Sequence, residues 1–144
     1  MYRPQRWVFG IYDTNSKQGY LTFVNSRDKD TLIPIIQRIV LPGSIIHSDE
    51  WRAYNDLRRL PNPQPYRYAT VNHSANVVDP ITGVHTNHVE AMWSRAKRRF
   101  KSMNGTYEEL IPSYLDEFMW RERYGDNTSI AFNNLLNHIS ARYP

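Results

Sequence analysis

Apolar and polar positions follow two different periods along this chain, and the switches between them outline its elements. In RWVFGIYD and QGYLTFV, aromatic and β-branched residues fill two short runs separated by the polar TNSK, the pattern of two strands joined by a turn. The strands are predicted at about Trp7 to Tyr12 and Tyr20 to Asn25. After Asp28 or Asp30, either of which suits an N-cap, Leu32, Ile35, Ile36, Ile39 and Val40 recur at helical spacing until Pro42 and Gly43 stop the run. Pro34 is placed in the first turn of that helix, where a missing N–H is tolerated.

SIIHS is β-branched and too brief for a helix, so it predicts a strand over Ser44 to Ser48, followed directly by Asp49. Trp51, Tyr54 and Leu57 then share one face of a short helix, which PNPQP ends. YRYATVNH predicts a strand from Tyr66 to about Val71, and Ser74 to Thr86 carries turn residues without a period and reads as a loop. Next, Val89, Met92, Trp93, Ala96, Phe100 and Met103 recur at steps of three and four, an apolar stripe. Glu90, Ser94, Lys97 and Lys101 occupy a different face of the same helix. Two further helices are predicted, Tyr107 to about Arg123 and Ser129 to about Arg142, parted by Gly125 and Asp126. The last one carries Ile130, Phe132, Leu135, Leu136 and Ile139, positions suited to covering an open sheet or to self-association as a homo-oligomer. The order is that of a mixed α/β fold, in which helices must cover a sheet.

Composition adds three constraints. At 144 residues and 40% hydrophobic the chain suits one domain with a single core. Lys and Arg outnumber Asp and Glu by 18 to 14, which favours an anionic partner. With no cysteine, disulfides, thiolate metal sites and cysteine nucleophiles are excluded, as suits an intracellular protein. MYRPQRWVFGIYD has neither the apolar core of a signal peptide nor the length of a membrane span. It enters a strand almost at once, which suggests that a further segment lies upstream.

Two acids stand out. Asp49 follows a short apolar strand, where α/β folds present functional groups, yet it equally suits the N-cap of a helix beginning at Glu50. Glu90 lies in the first turn of its helix, where a negative charge favours the macrodipole, with Asn87 at capping-box distance. Beyond Glu90, the run Arg95, Lys97, Arg98, Arg99 and Lys101 sets phosphate-seeking cations on the helix that carries the acid. Separated carboxylates beside a basic surface are what two-metal phosphoryl transfer requires. His47, His73, His85 and His88 show no HExxH spacing and no cysteine support for zinc, and no G-x-S-x-G elbow surrounds Ser48.

SDEWRAYNDL at 48–57, VNHSANVVDPITGVHTNHVEAMWSRAKRRFK at 71–101 and LIPSYLDEFMWRERYG at 110–125 resemble the catalytic domain of ISXO-type insertion-sequence transposases, whose eukaryotic relatives are the Merlin elements. WVFGIYD and TLIPIIQRIVLPGS extend the likeness, so that it covers residues 6 to 125. The resemblance implies a ribonuclease-H-like mixed sheet flanked by helices, an Asp-Asp-Glu triad, Mg²⁺ or Mn²⁺, and cutting and rejoining of transposon DNA ends, with no membrane role. Asp49 matches the family's second acid and Glu90 its third. Asn87 falls in the H-T-N motif, and Trp93 and Lys97 in the W-x-x-x-K continuation, with Lys97, Arg98 and Lys101 as DNA-phosphate contacts. The first acid lies in the family on a strand ahead of the WVFG hairpin, within a stretch that this chain does not contain; Asp13 matches no catalytic position and suits the turn. The expectation is therefore a partial catalytic domain over 1–125, with 126–144 a helix of the same domain or an extension. It lacks its first strand, exposes sheet edges and is inactive as a fragment; the alternative is a non-catalytic DNA-binding or interaction module derived from a transposon.

Overall fold

A computed structural model describes residues 5–61 and 63–144. The opening MYRP and Asn62 of the predicted PNPQP stop lie outside them. Strands β1 (Trp7–Asp13) and β2 (Gln18–Val24) pair through a four-residue turn. Asp13 organises that turn, in line with its turn-forming character: its carboxylate accepts from Asn15 N at 2.9 Å and from Ser16 Oγ at 2.6 Å. Helix α1 (Lys29–Ile39) starts at Asp28, whose Oδ1 accepts from Thr31 N at 2.9 Å. With the cap at Asp28, Pro34 sits beyond the first turn, inside the helix, and removes one ladder bond there.

Strand β3 (Ile45–Asp49) and strand β4 (Arg67–Val71) pair in parallel, with Ile45 opposite Arg67 and Asp49 opposite Val71. Their crossover holds the predicted short helix as a 3₁₀ segment, Arg52–Arg59. Its apolar face is short, and Leu57 and Ala53 supply the buried contacts. Helix α2 (Asn87–Ser102) follows the long loop. A 3₁₀ turn at Glu108–Leu110 leads into α3 (Ile111–Tyr124), and Asn127 caps α4 (Thr128–Arg142) by accepting from Ile130 N at 2.9 Å. The architecture is mixed α/β with two small sheets, β1–β2 and β3–β4, that share no ladder. Each strand therefore has one edge without a strand partner among the described residues, in keeping with the expected open edges.

The chain divides into two compact units. The first takes the described residues up to Phe9 together with Val24–Glu90, and its core is built from Phe9, Leu32, Ile36, Leu57, Tyr66, Val71 and Val84, all buried. Tyr66 ties the start of β4 to the end of α1 by donating its hydroxyl to Val40 O at 2.9 Å. Arg27 lies between two indoles of this unit, 4.1 Å from the Trp7 ring centre and 3.9 Å from that of Trp51, and its carbonyl accepts from Trp51 Nε1 at 2.8 Å. Two cation–π contacts and a hydrogen bond thus fix the backbone immediately after β3.

The second unit comprises Gly10–Phe23 and the chain from Ala91 onward, with Leu21, Met92, Ala96, Ile111, Leu115 and Phe118 buried. Its packing is close enough that two strand positions admit no side chain. A Cβ on Gly10 would stand 2.5 Å from Trp93 Nε1 and 3.0 Å from Leu21 Cδ2, and one on Gly19 would overlap the sulfur of Met92. Guanidinium–carboxylate pairs join α2 to α3: Arg95 holds Glu122 through both Nε and Nη2, the latter at 2.7 Å, and Arg99 reaches Glu117 at 3.1 Å. On α4, Phe132, Leu135, Leu136 and Ile139 are 46 to 60% exposed, so the helix covers no sheet with this stripe among the described residues. No described helix is long and apolar enough to cross a membrane.

Two outcomes follow from this packing. Gly10→Ala forces the Trp93 indole from its seat and is expected to lower unfolding free energy by about 1–3 kcal/mol, the usual range for overpacking, read by urea denaturation. Asp28 has its carboxyl pKa held below the ordinary 3.8 by the Ser26 hydroxyl and by Thr31. A depressed folded-state pKa contributes stability that is complete above the unfolded value and is lost as pH falls through the folded one. Thermal melts of the wild type should therefore lose stability as pH drops below about 4, and Asp28→Asn, which keeps the cap without a titrating group, should show a shallower loss.

Candidate functional site

Asp49 ends β3 because the strand's alternation turns Ile45, His47 and Asp49 outward while Ile46 and Ser48 are half-buried. Its carboxylate does not cap a helix at Glu50. Oδ1 instead accepts from Trp51 N at 3.0 Å, a local turn, because Trp51 is held by Arg27 and helical geometry begins only at Arg52. Oδ2 keeps no hydrogen-bond partner among the described residues. The charge of Asp49 is felt nearby: burial, then Asp49, push the Tyr54 hydroxyl well above its ordinary pKa. Burial raises that of Tyr68 too, with Asp49 and Glu50 adding to the rise and the Ser48 hydrogen bond and Arg58 opposing it. Ser48 is occupied with Tyr68 Oη at 2.6 Å and with the Asp49 carbonyl at 2.6 Å, an anchoring role and not that of a free nucleophile.

Glu90 projects from the first turn of α2, with its side chain 47% exposed. Asn87 is the first residue of the helix and makes no capping box; Thr86 lies beside Glu90 instead, its carbonyl accepting from Glu90 N at 3.1 Å and its hydroxyl donating to Oε1 at 3.3 Å. His73 completes the group, with Nε2 at 3.2 Å from Oε1 and in a short hydrogen bond with the Thr86 hydroxyl. Because Asp49 pairs in register with Val71, and His73 follows Val71 by two residues, both acids stand at the carboxyl end of the parallel pair. That end is where open α/β sheets gather functional groups. Thr86, four residues ahead of Glu90, is within reach of it by local spacing, whereas His73 is not legible as its partner in the sequence, since the ring crosses from a turn after β4 and no sequence period links positions 73 and 90.

Each carboxylate retains one oxygen without a hydrogen-bond partner among the described residues, as a ligand or proton acceptor needs. The donor set is nonetheless incomplete for a divalent cation. Among the described residues no group of three or more His, Cys, Asp or Glu side chains is placed to hold a metal ion, and Oε1 of Glu90 is already engaged by Thr86 and His73. Hard cations of the Mg²⁺ type take six oxygen ligands, one or two of them carboxylates and the rest waters or substrate oxygens, so Asp49 and Glu90 are ligands of the right kind without being grouped into a site by further acids among the described residues.

The basic run on α2 sorts into two sets. Arg95 and Arg99 are committed to Glu122 and Glu117, and Glu117 also takes Arg121 at 2.8 Å. Lys97, Arg98 and Lys101 have no acidic partner among the described residues, are exposed, and line with Ala91, Ser94 and Arg95 an open groove of about 460 Å³. Ser94, Lys97, Arg98 and Lys101 fall at i, i+3, i+4 and i+7, one face of the helix. Trp93 borders that face, about a quarter turn from its centre. Its indole N–H is buried without a partner and rests on Gly10, so its place in the motif is one of packing.

Comparison with known proteins gives the family. An uncharacterized transposase-like protein of Haemophilus influenzae is 30% identical over 102 residues, which is 71% of this chain and 78% of that protein. The ISXO2-like transposase domain matches residues 3–123, a span that holds both acids, the histidine–threonine pair and the basic face and stops ahead of α4. With that extent of match, the chain belongs to the ISXO2-like transposase domain family.

Proposed function

We propose that this chain is the part of a transposase catalytic domain that carries the second and third acids of an Asp-Asp-Glu triad and grips DNA along α2. The observation that carries the reading is the sorting of the α2 cations: two arginines are neutralised by α3, and Lys97, Arg98 and Lys101 are left for phosphates. Family membership supplies the context of transposition, in which DNA ends are the substrate. In this reading the fold is ribonuclease-H-like. Asp49 and Glu90 are the ligands this chain contributes toward Mg²⁺ or Mn²⁺, whose chemistry would be to polarise phosphoryl oxygens. In this reading the family's first acid is not supplied by this chain, and among the described residues no three or more His, Cys, Asp or Glu side chains are grouped to hold a metal ion.

A second reading is a DNA-binding module that uses α2 and not the acids. The ungrouped donors and the engagement of Glu90 with His73 favour it. In that case Glu90→Gln leaves DNA affinity and its salt dependence untouched. In the catalytic reading the same change abolishes strand cleavage in a protein that supplies the missing acid.

Three phosphate contacts give a log–log slope of affinity against salt of about −2.7, at about −0.9 for each. Filter binding of a duplex should show Lys97→Gln, Arg98→Gln and Lys101→Gln each flattening the slope by about 0.9. Arg99→Gln should leave it unchanged while costing up to about 1 kcal/mol of stability; equal slopes for all four variants would remove the grip from α2. Residues 1–144 alone are expected not to nick supercoiled plasmid with Mg²⁺ or Mn²⁺. Metal-dependent nicking that Asp49→Ala abolishes would show that the triad is completed from within the chain.

A further inference from the structure

The second unit carries another concavity, of about 270 Å³, between the end of the β1–β2 turn and α3. Tyr20, Trp120 and Tyr124 line it together with Lys17, Glu122 and Arg123. Two of the aromatic members, Trp120 and Tyr124, are held in place by His138: Trp120 Nε1 donates to His138 Nδ1 at 3.0 Å, and His138 stands edge-on to Trp120 and to Tyr124, with ring centres 5.9 and 4.7 Å away. The one acid in the lining, Glu122, is neutralised by the two-pronged Arg95 contact. Lys17 and Arg123 have no acidic partner among the described residues, and the Arg123 guanidinium already lies 5.2 Å above the Tyr124 ring. Lys17 also holds a left-handed backbone, φ 56°, which a side chain other than Gly, Asn or Asp rarely adopts; strain of that kind concentrates where a residue is wanted for what it binds.

Fixed aromatic rings beside unneutralised cations recognise a flat π-system that carries a phosphate. A base within a duplex is stacked away from any such pocket, so an unpaired base is the one free to enter it. The two concavities also share a wall, because Arg95 lines the α2 groove and its partner Glu122 lines this one. We propose that this pocket takes an unpaired nucleotide of the DNA strand whose phosphates lie along α2, so that the protein distinguishes a frayed or single-stranded end from continuous duplex. The inference rests on the DNA-gripping reading of α2 and adds the class of DNA end to it.

The test compares the full chain's affinity for four probes: a blunt duplex, the same duplex with a short single-stranded extension, that extension made abasic, and free dAMP. The extension should tighten binding about fivefold to a hundredfold, the range of one stacked base, and the abasic form, which keeps the phosphates, should lose most of that gain. Arg123→Gln and Lys17→Gln, both at exposed positions, should shrink the preference while leaving blunt-duplex affinity within about twofold. Equal binding of the extended and abasic probes overturns the inference, as does dAMP binding as tightly as the extension. If blunt duplex binds and the extension adds nothing, this inference alone fails. If no duplex binds, the α2 reading fails and takes this one with it.

Discussion

Register in the parallel β3–β4 pair is the constraint on which the acidic end of the molecule depends. Asp49 stands opposite Val71, so the last residue of one strand and the first turn after the other emerge together, and His73 is delivered to Glu90. A slip of one residue would reverse the alternation, bury the carboxylate side of β3 and expose Ile46 and Ser48. Little else enforces this register, since a two-stranded ladder has few bonds of its own. Contacts at its borders hold it instead. At the entry these are Gly43 N to Pro65 O at 2.7 Å, Arg67 N to Ser44 O at 3.1 Å and the Tyr66 hydroxyl on Val40; at the exit Arg27 sits between its two tryptophans.

Helix α2 shows how one short segment serves three purposes without conflict. Its first turn presents an acid where the macrodipole favours negative charge. One stripe, led by Met92 and Ala96, is buried, and the opposite face carries cations. Those cations would repel one another and weaken the helix if all were free. Pairing Arg95 and Arg99 with α3 relieves part of that repulsion and ties the two helices together. Paired and unpaired cations thus fall to different residues of the same run, a division that net charge by itself conceals.

Local period makes most of this architecture legible. The stripe from Val89 to Phe100 and the cap at Asp28 depend on neighbours three and four residues away, and both appear where spacing places them; Met103 falls just past the end of α2. What escapes the sequence is tertiary. Asp49 reads as a helix cap because a polar residue before a helical pattern usually is one, and the Trp51–Arg27 contact, across 24 positions, displaces the helix start. Glu90 stands out through the family motif, but its bond to Thr86 replaces the box expected with Asn87, and His73 reaches it through strand pairing that no period encodes. The sheet also departs from expectation in part. Four strands are legible, yet they close as two separate ladders, since partner choice is decided by long-range packing.

The absent side chain of Gly10 has a consequence that extends beyond this one molecule. An indole resting directly on a strand backbone makes positions 10 and 93 a single volume shared between two residues. Whatever one gains, the other must give up, and Gly19 with Met92 repeats the arrangement one residue earlier on the helix. Across related chains these positions should drift only as matched pairs, a larger residue on the hairpin answered by a smaller one on the helix. Their covariation would then record a steric debt between hairpin and helix, independent of whatever role the neighbouring Glu90 has.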